Sequence, residues 1–251
     1  MPPLGDETLE KLRRRLRDQT PLIGDWRRRG AARALADLGS DAAVHILAEA
    51  AAESEDAGVR ESALEALGRL TGQEGIDTLC EIWTGGRHPK LATLLAEEGW
   101  IASAPLQIRV LTALHSDPSQ LSIEEEPRLA EQLLSTTLED PDPLIVKKAR
   151  LTLRQMAQRG KKPEVHALTE LLMESEEEGR REVVRKVLGE VRNSGGIREI
   201  CQLWVRTRHP ELADLIVEHR WVPHTRGSPE IEVLTALKVG DLERVARGSE
   251  W

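Results

Sequence analysis

A single spacing runs through this chain. Cys80 and Cys201 lie 121 residues apart, and so do Trp83 and Trp204, His88 and His209, Pro89 and Pro210, and Trp100 and Trp221. The same offset joins Val44-His45 to Val165-His166, Leu67-Gly68 to Leu188-Gly189 and Gly75-Ile76 to Gly196-Ile197. After a two-residue insertion, Val110-Leu-Thr-Ala-Leu114 matches Val233-Leu-Thr-Ala-Leu237 at offset 123. Chance does not hold one register across so many positions. Residues 22–125 and 143–251 therefore read as two copies of one unit, preceded by a capping helix over 6–18, all in one domain spanning 1–251. A chain with a long internal period must fold into something that can be extended by repetition.

The period of the apolar residues says what is repeated. Val59, Ala63, Leu67 and Leu70 make one helical stripe, as do Ile76, Leu79, Cys80 and Trp83, and again Ile108, Leu111 and Leu114. No stretch alternates convincingly at period two, so no sheet is predicted. Gly39 followed by Ser40 and Asp41 predicts the end of one helix and the cap of the next. Asp140-Pro-Asp-Pro143, His88-Pro89, His209-Pro210 and Ser228-Pro229 predict helix starts, with proline in the first turn where a missing N–H costs little. Short loops force neighbouring helices antiparallel. One such hairpin cannot bury its apolar face alone, whereas stacked hairpins can. The expected fold is an all-α solenoid of about 12–14 helices in antiparallel pairs.

The stretch Asp56-Ala-Gly-Val-Arg-Glu-Ser-Ala-Leu-Glu-Ala-Leu-Gly68 resembles the second helix of a HEAT repeat, and Asp140-Pro-Asp-Pro-Leu-Ile-Val-Lys-Lys-Ala-Arg150 is similar. In such repeats an Asp precedes the helix, a Val-Arg or Val-Lys pair follows, and a small residue packs on the neighbouring repeat. Here those are Asp56, Val59, Arg60 and Ala63, then Asp142, Val146, Lys147 and Ala149 with looser spacing. The blocks that carry the Cys, Trp and His pairs depart from the usual pattern and look like a variant found in bacterial HEAT-repeat proteins. The resemblance implies a right-handed α-solenoid acting as a scaffold for other proteins, less often for nucleic acid, with no cofactor.

Composition narrows the function further. The net charge of −8 counts against generic binding to DNA or anionic membrane. Six Trp with no Phe and no Tyr leave few base-stacking platforms. No window reaches the roughly 18 uncharged apolar residues of a membrane helix, and the first residues show no secretory h-region. Two cysteines without a C-x-x-C pair predict a reducing, cytoplasmic setting. No phosphate-binding loop, nucleophile elbow or metalloprotease motif is present, so no catalytic activity is expected.

The repeated set Cys80, Trp83, His88, Trp100 and Cys201, Trp204, His209, Trp221 invites a metal or thiol reading. A zinc site needs about four ligands, and each unit offers one Cys and scattered His. Both cysteines fall on apolar stripes, where a free thiol behaves as a small hydrophobe. The set is thus a packing signature. Candidate partner-binding residues lie elsewhere: Trp26, flanked by charges, with Arg27 and Arg28, and Lys147, Lys148, Arg150 and Arg154 within 143–162, a stretch with seven cations and no acid. If the second helices over 22–38, 56–70, 143–159 and 178–192 line one concave face, a basic strip results on an acidic protein. Charge runs usually resolve into solvated helix faces with salt bridges; as a binding strip it would take an acidic protein or peptide, or alternatively a phosphate backbone. A third reading, a lyase- or chaperone-like module acting on a cofactor-bearing partner, rests on fold analogy alone. In the second copy, the chain stops at Trp251 near where a further helix is due, which predicts a longer multidomain protein or a docked last face.

Overall fold

The computed structural model describes residues 6–20, 23–223 and 229–248; Trp251 and Ser228 lie outside them. Among these residues there are fifteen α-helices, one short 3₁₀ turn at Pro118–Gln120 and no strand. No helix is long and apolar enough to cross a membrane. The chain divides into two compact units, Met1–Gln120 and Leu121–Trp251.

The first unit holds α1 (Asp6–Leu16), α2 (Gly24–Leu38), α3 (Asp41–Glu53), α4 (Ala57–Leu67), α5 (Gln73–Gly86), α6 (Pro89–Glu98) and α7 (Leu106–His115). Short turns join α2 to α3, α3 to α4, α4 to α5 and α5 to α6, and α1 packs on α2 and α3 on α4 as antiparallel pairs. Pairs then stack. One layer runs α1, α3, α5, α7, each against the next, and a second layer runs from α2 to α4. The core between the layers is aliphatic and small: Ala32, Leu35, Leu47, Ala63, Leu67, Leu79 and Leu114 are fully enclosed. Alanine at the crossing points lets backbones approach closely, which is how rows of short helices reach interior packing density without large rings.

The second unit holds α8 (Leu129–Glu139), α9 (Pro143–Arg159), α10 (Lys162–Glu174), α11 (Glu178–Leu188), α12 (Ser194–Thr207), α13 (Pro210–His219), α14 (Pro229–Val239) and α15 (Leu242–Gly248). It stacks the same way, with α8, α10, α12 and α14 in one layer and α9 and α11 in the other. The starts of α3, α4, α5 and α6 each lie 121 residues before those of α10, α11, α12 and α13. Helix α8, over which sequence spacing leaves a linker helix after the first unit, packs on α9 and α10 as α1 packs on α2 and α3.

Termini are set by the expected chemistry, with exceptions. Asp56 accepts the amides of Gly58 and Val59, and Asp142 accepts that of Leu144, each satisfying donors that a helix start leaves open. Gly39, Gly99 and Gly160 close α2, α6 and α9 in the left-handed conformation (φ 57°, 66° and 58°), where a side chain would be strained. Ser40 stands at the N-cap of α3 but makes no side-chain cap bond. Asp41, one residue on, instead accepts a 2.5 Å hydrogen bond from the Thr78 hydroxyl and links α3 to α5.

Candidate partner-binding faces

Four members of the repeated signature, Cys80, Trp83, Cys201 and Trp204, are buried. Cys80 and Cys201 are fully buried, and burial pushes both thiols up to about 12, the opposite of what a nucleophile or a metal-binding thiolate needs. No group of three or more His, Cys, Asp or Glu that could hold a metal occurs among the described residues. Trp83 is buried between the tilted ring of His115, 4.8 Å away, and the guanidinium of Arg87, 4.9 Å from its ring. Trp204 is buried too, with Arg208 at 5.1 Å. Both arginines take the left-handed conformation that ends their helix, donating their backbone N–H to the carbonyls of Trp83 and Trp204 at 2.6 and 2.7 Å. Arg87 and Arg208 are also 121 residues apart, a signal in the sequence that points to them as part of the block. His88 and His209 begin α6 and α13 without a side-chain cap bond. Trp221 is buried and stacks on His219, whereas Trp100 is only half-buried.

The basic candidates divide sharply. Arg27 pairs with Asp18 at 2.9 Å. The hydroxyl and amide of Thr20, with Arg27, lower the Asp18 carboxyl to about 2. Arg28 is not a surface contact. Its guanidinium donates to the Asp18 carbonyl at 2.8 Å and lies where a side chain at residue 58 would sit: a Cβ on Gly58 would come within 2.8 Å of its Nη2. Arg28 thus fastens the loop after α1 to the start of α4, and the glycine makes room for it. Lys148 is half-buried and engaged. Arg154 reaches Glu190 at 2.8 Å. Lys147 and Arg150 are exposed and have no acid partner among the described residues.

Sequence reading puts a continuous basic strip over 143–162. The structure breaks it with acids brought in from elsewhere. Arg159 pairs with Glu164 at 2.6 Å, Lys161 with Glu124 at 3.6 Å and Lys162 with Glu199 at 3.6 Å. Arg13 on α1 and Arg17 just past its end both hold Glu49 at 2.8 Å. In the second unit, ion pairs also link α9 to the residues just past α11, and α11 to α13. Arg154 holds Glu190, just past α11, and Arg185 on α11 reaches Glu218 at 3.0 Å and Glu211 at 3.5 Å on α13.

Apolar exposure is where the faces become distinctive. Trp26, in the first turn of α2, is 79% exposed, with Ile23 exposed beside it in sequence. On α9, Ile145, Ala149, Leu153 and Met156 supply the buried stripe, while Leu144 and Leu151 are each 52% exposed on the other side. The two leucines are the residues that sequence reasoning missed. They sit seven apart and off the buried stripe, which is the signal that marks them.

Residues 9–97 match the family model of HEAT repeats, a span that runs from within α1 almost to the end of α6. Residues 9–97 carry HEAT repeats. No curated protein matches it. The HEAT assignment agrees with the geometry of the first unit, in which the matched residues form three successive helix pairs.

Proposed function

We propose that this HEAT-repeat protein is a binding scaffold for other proteins, with no catalytic activity of its own, and that it is one domain built from two homologous copies of a helical unit. The matching starts of α3 to α6 and α10 to α13 support the duplication. The single observation that carries the scaffold reading is Trp26. A tryptophan left 79% exposed on a helix face contributes nothing to the core and is the residue type most enriched at the energetic centres of interfaces. Contact would run through the second helices of the pairs, α2 and α4 in the first unit and α9 and α11 in the second. Two buried free thiols fit a reducing, cytoplasmic setting. The nucleic-acid alternative has less to stand on, because Arg27, Arg154, Arg159, Lys161 and Lys162 already face acids.

The test is capture of partners by the full chain from its native source, repeated with Trp26→Ala. One defined partner held by the wild type and weakened at least roughly tenfold in the variant is expected, the loss typical of a truncated anchor. Equal capture by both would overturn Trp26 as the anchor. Tight, salt-sensitive binding of short duplex DNA with no protein partner would overturn the scaffold reading.

A further inference from the structure

The outer face of α9 has a composition of its own. Leu144 and Leu151 are half-exposed there, two helical turns apart, or about 10 Å along the axis. Between and beside them stand Lys147 and Arg150, exposed and without an acid partner among the described residues. The chain has 43 acidic residues and a net charge of −8. Other exposed cations, such as Arg14, Arg33 and Arg220, also lack an acid partner among the described residues; what sets Lys147 and Arg150 apart is the exposed leucine pair on the same helix. Neighbouring cations at Arg154, Arg159, Lys161 and Lys162 have all been matched. The core does not need the leucines either, since Ile145, Ala149, Leu153 and Met156 already fill the buried side.

We infer that the exposed face of α9 is a docking site for an acidic amphipathic segment of a partner protein, laid along the helix with apolar side chains on Leu144 and Leu151 and carboxylates on Lys147 and Arg150. The inference rests on the scaffold reading and names the partner's chemistry. Charge complementarity commits it to an acidic partner, and the apolar pair commits it to a peptide. A phosphate backbone would satisfy the cations but would leave two leucines against its charged surface; an amphipathic acidic helix satisfies both. At 17 residues, α9 is about 25 Å long, enough to guide a partner helix of four to five turns. The first unit does not offer the same face. The position equivalent to Leu151 is Gly30, and that equivalent to Lys147 is Trp26, so the two units select different partners or different parts of one.

The test is a selection from a random peptide library, peptides of α9's length, on the immobilised full chain. Enriched peptides are then measured by fluorescence anisotropy against three variants: Lys147→Glu with Arg150→Glu, Leu144→Ser with Leu151→Ser, and Trp26→Ala. The expected result is enrichment in Asp and Glu with apolar residues two turns apart. Affinity should fall at least roughly tenfold in each double variant, a loss of about 1.4 kcal/mol or more, with the helical circular dichroism retained and the protein still folded at the assay temperature, because the cations are exposed and the leucines half-exposed. Peptides without acidic enrichment, or peptides that bind both double variants as tightly as the wild type, would overturn it. So would duplex DNA binding that is abolished by the charge reversal. Peptides that depend on Trp26 and not on α9 would leave the scaffold reading standing and sink this one. A selection that enriches nothing would count against both.

Discussion

Arg220 occupies the left-handed C-terminal position of α13 at φ 51° and ψ 43°. The equivalent place after α6 is held by Gly99 at φ 66° and ψ 25°. The two closures are otherwise alike. The next residue in each, Trp221 or Trp100, donates its amide back to Ile216 or Leu95 at 3.0 Å. The Arg220 side chain is exposed and makes no ion pair among the described residues, so replacing it tests the backbone alone. An L-residue in this region costs roughly 1–2 kcal/mol relative to the right-handed one. Glycine escapes that strain but loses more freedom on folding, roughly 0.5–1 kcal/mol. Arg220→Gly should therefore stabilise the protein by about 0.5–1 kcal/mol, or about 1–4 °C in melting temperature for a chain of this size. Gly99→Ala should destabilise it by about 1 kcal/mol, for the same reason with the opposite sign. Thermal melts followed by circular dichroism measure both, and hydrogen exchange at the Trp221 amide localises the first. A destabilising Arg220→Gly, or a neutral Gly99→Ala, would refute the argument that these closures are governed by backbone strain.

Three further outcomes follow from the same geometry. Trp83→Ala should cost about 3–5 kcal/mol, because a buried ring between His115 and Arg87 is lost, while Trp26→Ala should change stability by less than about 0.5 kcal/mol; chemical denaturation compares them directly. Cys80 and Cys201, with thiols pushed up to about 12, should resist a thiol reagent at pH 8 in the folded protein and react fully in denaturant. The Asp56 carboxyl is held below its ordinary value, chiefly by the Val59 amide, so its contribution is present above the usual carboxylate range and is lost as pH falls through the lowered value. Asp56→Asn should flatten that part of the acid-unfolding curve, and Glu177→Asp, at the equivalent uncapped position before α11, should gain about 0.5–1 kcal/mol in a urea titration.

The helices were legible because their signals are local. A stripe such as Ile76, Leu79, Cys80 and Trp83 declares its own period and its buried side, and Asp56 and Asp142 announce the starts that they cap. The burial of both cysteines follows from the same stripes. The fate of the cations was not legible, because it depends on residues far along the chain. Arg154 meets Glu190, 36 positions away, and Lys162 meets Glu199, 37 away, so a window rich in Lys and Arg says nothing of the acids that will face it. Arg28 reads as one more surface arginine between Arg27 and Arg29, and only the fold shows it crossing Gly58. Leu144 and Leu151 lay between these cases. Their offset from the buried stripe was visible, but not the fact that the unit leaves each of them half-exposed.

The ion pairs that link helices of the second unit bear on mechanics as well as on binding. Arg154 with Glu190, and Arg185 with Glu211 and Glu218, act as cross-ties between α9, α11 and α13. At the equivalent positions the first unit has Arg33 and Arg69, then Leu64, Lys90 and Glu97, a set that cannot form the same ties. Separating these helices must stretch charged contacts that have no counterpart at the equivalent positions of the first unit. Those ties hold most firmly at low ionic strength, and added salt, by screening half-exposed pairs, loosens them.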